Sequence, residues 1–583
     1  MTELIWQGKY DKENRKTAPV RIALPFQTIE TVNESAQDRQ RTLDLFSQGK
    51  QTDWRNRLIW GDKKYVLPSL LPEFAGKVDL IYIDPPFDTG ADFSFSTQIP
   101  ESDSQFTKQP SIIEQKAYRD TWGKGLDSYL QWFYETIVLL HELLAETGSI
   151  YIHLDYHIGH YVKCVLDEVF GMENFRNEII WCYTRPGVAH QKQLPRVHDS
   201  IFWYSRSNTW CFNGNDIRIP YADSTISRGD YSIASSKVTK GIDKRVLPEG
   251  GKIPEDWWQI PMVQGNANER TGYGTQKPEA LLERIIKASS NEGDLVLDSF
   301  VGSGTTAAVA EKLGRRWIAC DLSKFAIHTT RKRLLSIEGV KPFVVQNLGK
   351  YERQAWMKAE FSGSARLLPS NELIRYYQFI LELYHATPIN GYRWLHGVRA
   401  GRMVHVGSVD APITIGDVKG IVTEFWKSVA PHPGPLPEGE GEDNVKGEGE
   451  DDVKANGEGK NDVKAKTNGV DILGWEFAFE LNEVAKQIAT EANVNIAFKK
   501  IPREVLDKRA VEQGDIRFFE LAALSVDVKV SKKEVTLELT DFVIPPDDVP
   551  EDVQRAITHW SQWIDYWAVD WDFKKSLLQI KEH

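Results

Sequence analysis

Apolar residues along this chain follow two rhythms. Short runs rich in β-branched and aromatic residues recur at Asn56-Arg-Leu-Ile-Trp60, Val78-Asp-Leu-Ile-Tyr-Ile83, Gly148-Ser-Ile-Tyr-Ile-His-Leu154, Phe175-Arg-Asn-Glu-Ile-Ile-Trp181, Leu295-Val-Leu-Asp298 and Arg316-Trp-Ile-Ala-Cys320. They are too short for helices and are bounded by Gly, Pro or Asp, so they read as strands. Between them lie helical patterns, at Leu126 to Ala145, Ala307 to Leu313 and Phe325 to Leu335. Strands alternating with helices predict an α/β fold with a mixed, mostly parallel sheet.

Chemistry-bearing residues gather where these strands end, and in open α/β sheets the carboxyl edge is where ligands bind. The run Val78 to Ile83 delivers Asp84-Pro85-Pro86-Phe87. The prolines stiffen the turn and remove two N–H donors. Acceptor oxygens and an aromatic ring are left to grip a planar, amino-bearing ring. Alone, a strand followed by a Pro-Pro turn and a solvated Asp is the plainer reading of this tetrapeptide. A second element shifts the balance: Asp298-Ser-Phe300-Val-Gly302-Ser-Gly304-Thr305 joins a strand to a helix. Its glycines permit a tight turn with close backbone approach, and the N–H groups opening the helix attract a carboxylate or phosphate. The next strand ends at Asp321, at the spacing of about 20 residues expected of a ribose ligand.

With Thr275-Gln-Lys277-Pro278 ahead of the glycine turn, and Gly61-Asp62 closing the first strand, these residues resemble the amino-group DNA methyltransferases. The order is the permuted one, in which the catalytic half precedes the cofactor half. The resemblance spans roughly residues 40 to 345 and implies a Rossmann-like methyltransferase fold with S-adenosylmethionine as methyl donor. It assigns Asp84, Pro85, Pro86 and Phe87 to catalysis. It assigns Asp62, Thr275, Lys277, Pro278, Asp298, Phe300, Gly302, Gly304, Thr305 and Asp321 to the cofactor pocket. Asp, rather than Ser, in the first position of the tetrapeptide points to adenine N6, with cytosine N4 as the alternative. Two readings of other classes are an RNA or protein-amide methyltransferase and a non-catalytic specificity subunit. Double-stranded DNA is the implied partner, and the resemblance admits a separate restriction endonuclease subunit or a second copy of the chain.

At 583 residues the chain is too long for one core. We expect a methyltransferase domain at 1–345 with a target-recognition insert at about 182–265, an accessory region at 346–429, a linker at 430–470 and an α+β C-terminal domain at 471–583. The net charge of −12 is partly local, because residues 438–466 carry ten Asp or Glu against five Lys. That stretch, with near-repeats at Gly447 and Gly457, cannot bury apolar surface and is predicted to be disordered. Basic residues instead collect in the insert, where Arg185, Lys192 and Arg196 are candidate DNA contacts, joined by Arg206 and Arg218. Tyr118 and Trp122, in the polar interval after Phe87, are candidates to close over a flipped base. Trp257 and Trp258 either touch DNA or pack.

Cys164, Cys182, Cys211 and Cys320 stand singly in apolar runs, which predicts buried small hydrophobes, no metal site and a reducing compartment. With no run of membrane length, we expect a cytoplasmic protein. The cluster Arg331-Lys-Arg333 at a helix end reads as a solvated face.

Overall fold

The computed structural model describes residues 3–34, 54–87, 95–98, 105–108, 125–184, 192, 194–222, 250–265, 267–361, 369–429, 469–478, 481, 488–514, 516–531, 534–544, 557 and 559–564. Two compact units divide the chain at Glu352/Arg353.

The first unit contains strands β1 (Gln27–Val32), β2 (Asn56–Trp60) and β3 (Val78–Ile83), with helix α1 (Lys63–Phe74) between the last two. A short antiparallel hairpin, β4 (Phe95–Gln98) and β5 (Gln105–Lys108), comes next. Then follow α2 (Leu126–Leu143), β6 (Leu144–Leu154), α3 (Gly159–Phe170), β7 (Phe175–Cys182), β8 (His198–Ser205), β9 (Trp257–Gln259) and α4 (Glu279–Ser289). The last elements are β10 (Leu295–Asp298), α5 (Thr305–Lys312), β11 (Arg316–Asp321), α6 (Lys324–Leu335) and β12 (Phe343–Asn347).

Ten of these strands form one sheet in the order β1-β12-β2-β11-β10-β3-β6-β8-β7-β9. Its centre, from β12 to β6, is parallel; β1 pairs antiparallel to β12, β8 pairs antiparallel to both β6 and β7, and β9 returns to a parallel pairing with β7. The two faces explain the unbroken apolar runs. Along β3, Ile81 and Ile83 pack with α1, α2 and α3, whereas Leu80 and Tyr82 pack with α4, α5 and α6. A strand covered by helices on both faces has no polar side to alternate.

From β3 the chain proceeds to β6 on one side of the sheet, and from β10 it proceeds to β11 on the other. Adjacent strands whose connections diverge leave a crevice at their carboxyl ends. Asp84 and Asp298 stand at these two ends. The pairing is pinned by the Asp79 carboxylate, which accepts from the Leu295 amide at 2.8 Å. Buried Asn56 ties β2 to its neighbours by accepting from the Trp317 amide and donating to Glu311, both at 2.9 Å.

Helix α7 (Gly349–Phe361) begins four residues before the second unit, which contains the rest of it with α8 (Pro369–Leu383), β13 (Thr387–Pro388), β14 (Gly397–Arg399), β15 (Arg402–Val406), α9 (Ile415–Val429), β16 (Gly469–Gly474), β17 (Asn495–Lys500), α10 (Lys508–Gln513) and β18 (Phe519–Glu520). A separate hairpin, β19 (Ala523–Val530) and β20 (Val535–Val543), follows. Here the structure departs from the expected boundaries. Strands from both sides of residues 430–468 form one six-stranded sheet, with β15 parallel to β16, so the accessory region and the segment after the linker share a sheet. Sequence proximity misled, because the strand that completes β15 arrives more than 60 residues later. The acidic linker itself lies outside the described residues.

One smaller expectation is met and two change. Within the interval 182–265, the run His198-Asp-Ser-Ile-Phe-Trp-Tyr204, which reads as a strand completing the main sheet, is β8 of that sheet, and β9 joins it. Of the four cysteines only Cys320 is buried; Cys164 is exposed. Arg333 is buried, since its guanidinium meets Glu279 at 2.8 Å and Thr305 at 2.9 Å. No helix among the described residues is long and apolar enough to cross a membrane.

Candidate active site

β3 carries Asp84 out of the sheet, and the turn after it is held from two directions. The Tyr129 hydroxyl of α2 donates to the Pro86 carbonyl at 3.0 Å. The ring of Phe87 stacks on His153 of β6, with centroids 6.0 Å apart and planes 29° apart. His153 is itself fixed, one ring nitrogen 2.9 Å from the Tyr82 hydroxyl and the other 3.2 Å from Asp199. Tyr183 donates to the second oxygen of Asp199 at 3.1 Å. Burial is the largest influence on Asp199 and raises its carboxyl, but His153, Lys277 and Tyr183 together bring it below its ordinary value. Phe87 is thus supported on one face by a locked imidazole, which leaves its other face to a ligand.

The glycine turn is organised by two carboxylates. Asp298, at the end of β10, accepts from the Phe300 amide at 2.9 Å and from the Thr306 hydroxyl at 2.6 Å. Burial pushes its carboxyl up to about 7, and the nearby charges of Asp84 and Asp321 add to the effect. Asp321, at the end of β11, accepts from the amides of Gly302 at 2.9 Å and Ser323 at 2.8 Å, and burial raises it too. Gly304 has a φ of 81°, and a Cβ there would stand 3.0 Å from the Thr330 Cα and closer still to its side chain. Both the left-handed backbone and the close approach of α6 require glycine. Thr305 then locks the turn to the segment before α4, donating to the Lys277 carbonyl at 3.0 Å.

The tetrapeptide and this turn open onto one cavity. Asp84, Pro85, Pro86 and Phe87 line it together with Thr275, Lys277, Asp298, Phe300, Gly302, Thr305 and Asp321. The Lys277 ammonium forms an ion pair with Asp84. Asp84 Oδ1 and Ser299 Oγ are buried without a hydrogen-bond partner among the described residues. Such atoms are costly unless a ligand meets them. The carboxyl groups of Asp84, Asp298 and Asp321 share this lining with Lys63 and Lys277 and offer acceptor oxygens to a ligand bearing ammonium and sulfonium groups.

Other candidates fall elsewhere. Asp62, Pro278 and Gly304 do not line the cavity. Asp62 caps α1 through the Lys64 amide, Pro278 stands at the start of α4, and Gly304 shapes the turn from behind. Sequence reasoning missed Lys63, whose ammonium lies 4.2 Å from the Phe300 ring centroid and 4.4 Å from that of Trp132. Its place directly after the Gly61-Asp62 turn was the available signal. Lys192 is exposed, and Arg196 stacks on Tyr156 with its guanidinium 3.8 Å from the ring centroid. Arg185, Tyr118 and Trp122 lie outside the described residues. Arg206 is turned onto His141, and Arg218 holds a loop through the Gly251 carbonyl at 2.6 Å. The tryptophan pair splits: Trp257 is exposed and Trp258 buried.

A parallel sheet with a glycine turn at its switch point, an acid ending the next strand and a ligand cavity at the same edge defines a Rossmann-like methyltransferase fold. Comparison with known proteins makes this specific. A family model described as DNA methylase, of the N6/N4 type, matches residues 78–332. The DNA adenine methyltransferase YhdJ of Escherichia coli strain K12 is 30% identical over 282 residues, which are 48% of this chain and 82% of that protein. The type II methyltransferase M1.MboII of Moraxella bovis is 34% identical over 241 residues, 40% of this chain and 89% of that protein. The type II methyltransferase M.EcaI of Enterobacter cloacae is 29% identical over 331 residues, 48% of this chain and 69% of that protein. The chain belongs to the N6/N4 DNA methylase family. The matched family segment lies wholly within the first unit.

Proposed function

We propose that this chain is a site-specific DNA methyltransferase that modifies the exocyclic amino group of a base rotated out of the duplex, adenine N6, with S-adenosylmethionine as donor. The observation that carries the reading is the shared cavity, in which Asp84 to Phe87 meet the turn from Asp298 to Thr305. S-adenosylmethionine supplies an electrophilic methyl group on sulfur. Asp298, Phe300, Gly302 and Thr305, with Thr275 and Asp321, would hold it, and the carboxyl oxygens offer acceptors to its cationic groups.

The remaining work falls to the chain's own side chains. A base inside a duplex cannot present its amino nitrogen to a buried cavity, so it must leave the stack. Phe87, backed by His153, offers one ring face for stacking. Asp84 would accept a hydrogen bond from one amino N–H and the Pro85 carbonyl from the other, which directs the nitrogen lone pair into the cavity and stabilises positive charge as it develops there; one of the two protons leaves as the methyl group is gained, and the second stays on nitrogen. Exclusion of water by the apolar walls strengthens that interaction.

Adenine is favoured by Asp in the first tetrapeptide position, and one relative is named an adenine methyltransferase. The type II names of the other relatives support a place in restriction-modification, with a separate endonuclease as companion. Arg196 and Lys192, with Arg185, Tyr118 and Trp122, are the proposed DNA contacts. Nucleosides from unmodified DNA treated with the full chain and S-adenosylmethionine, analysed by mass spectrometry, should contain N6-methyladenine. N4-methylcytosine alone would overturn the choice of base, and methylation of RNA but not DNA would overturn the substrate class.

A further inference from the structure

Lys277 begins as a cofactor-pocket candidate, but its ammonium is paired with Asp84, across 193 residues of sequence. Both partners are largely sheltered, at 12% and 17% exposure. The contact engages only Oδ2 of Asp84. The other oxygen, Oδ1, is buried with no partner among the described residues, although Asp84 lines the cavity. A carboxylate with one oxygen pinned by a cation and the other left unsatisfied is an oriented acceptor, because a buried acceptor is costly to leave unpaired unless a ligand meets it.

The backbone of Lys277 is fixed by the opposite half of the site. Its carbonyl accepts from Thr305 at 3.0 Å, and the Thr305 hydroxyl in turn accepts from buried Arg333 at 2.9 Å. Asp199 adds a second negative charge facing the Lys277 ammonium, which lies 5.5 Å from the centroid of Phe87.

We propose that Lys277 is a positioning residue for transfer: it pins Asp84 Oδ2 so that Oδ1 faces the incoming amino group, and couples that orientation to the glycine turn through Thr305. The inference rests on the methyltransferase reading above and deepens it. Lys277 acts through Asp84 and takes no proton from the base. An apolar side chain of similar length would leave Asp84 free to turn both oxygens away.

The test uses the full chain with Lys277→Met and Lys277→Arg. Methyl transfer is followed under single-turnover conditions, with enzyme in excess over amplified, unmodified genomic DNA and tritiated S-adenosylmethionine. Binding of S-adenosylhomocysteine is measured separately by calorimetry. Lys277→Met should slow transfer about 100-fold while changing the binding constant by less than about threefold, and Lys277→Arg should recover to within about tenfold of wild type. If Lys277→Met loses the wild-type circular dichroism spectrum, Lys277→Gln replaces it with the same expectation. Transfer at the wild-type rate overturns the proposal, as does a loss that saturating S-adenosylmethionine restores, which would mark Lys277 as a cofactor ligand. A wild-type chain that methylates no DNA would instead overturn the function proposed above.

Discussion

Both units bury ionisable groups beside a sheet, but they treat them differently. In the second unit most of these groups answer one another, with Arg353 Nη2 left over. Asp471 takes the Arg402 guanidinium at 2.6 Å and the Tyr384 hydroxyl at 2.7 Å, and Arg353 meets Glu476 at 2.8 Å. His405 lies 2.7 Å from the Trp394 carbonyl, and His396 accepts from the Val406 amide at 2.9 Å. In the first unit Asp84, Asp298 and Asp321 converge on one cavity, and Asp84 Oδ1 and Ser299 Oγ are left over. Satisfied polar groups hold a fold together, whereas a cluster of like charges with spare acceptors costs stability and is kept where a ligand completes it.

The sharpest way to break this contrast is to remove the spare acceptor. Asp84→Ala should lower methyl incorporation into DNA by about 10³-fold or more; retained activity would detach Asp84 from the chemistry. Next in size is a packing test at the sheet edge. Trp258→Ala should cost about 3–5 kcal/mol in urea unfolding, as expected of a buried ring, while exposed Trp257→Ala should stay within about 0.5 kcal/mol. Equal losses would mean that the edge strand does not separate them.

Two pH experiments sharpen the electrostatic half of the comparison. The folded Asp298 carboxyl is raised to about 7 from an ordinary 3.8. The folded state therefore holds a proton that the unfolded chain releases, and this stabilising contribution, complete below the unfolded value, fades as pH rises through about 7. Asp298→Asn should melt higher than wild type at about pH 8, and the advantage should vanish near pH 4; a constant difference would contradict it.

His396 has the opposite sign. Burial, with neighbouring His405, lowers it from 6.5 to about 3, so its contribution is present above 6.5 and lost as pH falls toward 3. Replacement by Gln should flatten the acid side of the second unit's stability curve, followed by the near-ultraviolet signal of its tryptophans. An unchanged slope would show that His396 does not carry the proton uptake.

The site's two anchors were legible in the chain because each is local. Asp84-Pro-Pro-Phe87 follows a six-residue strand, and Gly302 and Gly304 stand where a positive φ is needed. The resemblance assigns Asp62 and Gly304 to the pocket through their motifs; in the structure one caps a helix and the other shapes the turn from behind. His153 carried no signal at all. It sits in an apolar run like any strand residue, and its partners come from two other strands, Tyr82 and Phe87 from β3 and the turn after it and Asp199 from β8. Arg333 misled because a basic triplet at a helix end ordinarily faces water, and only the packing of α6 against α5 turns it inward.

Periodicity, the prolines and the glycines determined by themselves that this chain would build strands buried on both faces, end one of them in a stiff row of acceptors, and turn sharply into a helix after another. Those are consequences of neighbours within a few residues. Tertiary structure alone decided that β3 and β10, more than 200 residues apart, lie side by side at the switch point of the sheet. It decided, too, that Lys277 reaches Asp84, that His153 supports Phe87, and that strands on either side of the acidic segment share one sheet. The reason is physical: hydrogen-bonded pairing and ion pairing depend on proximity in space, and parallel strands need crossovers that carry their partners far along the chain.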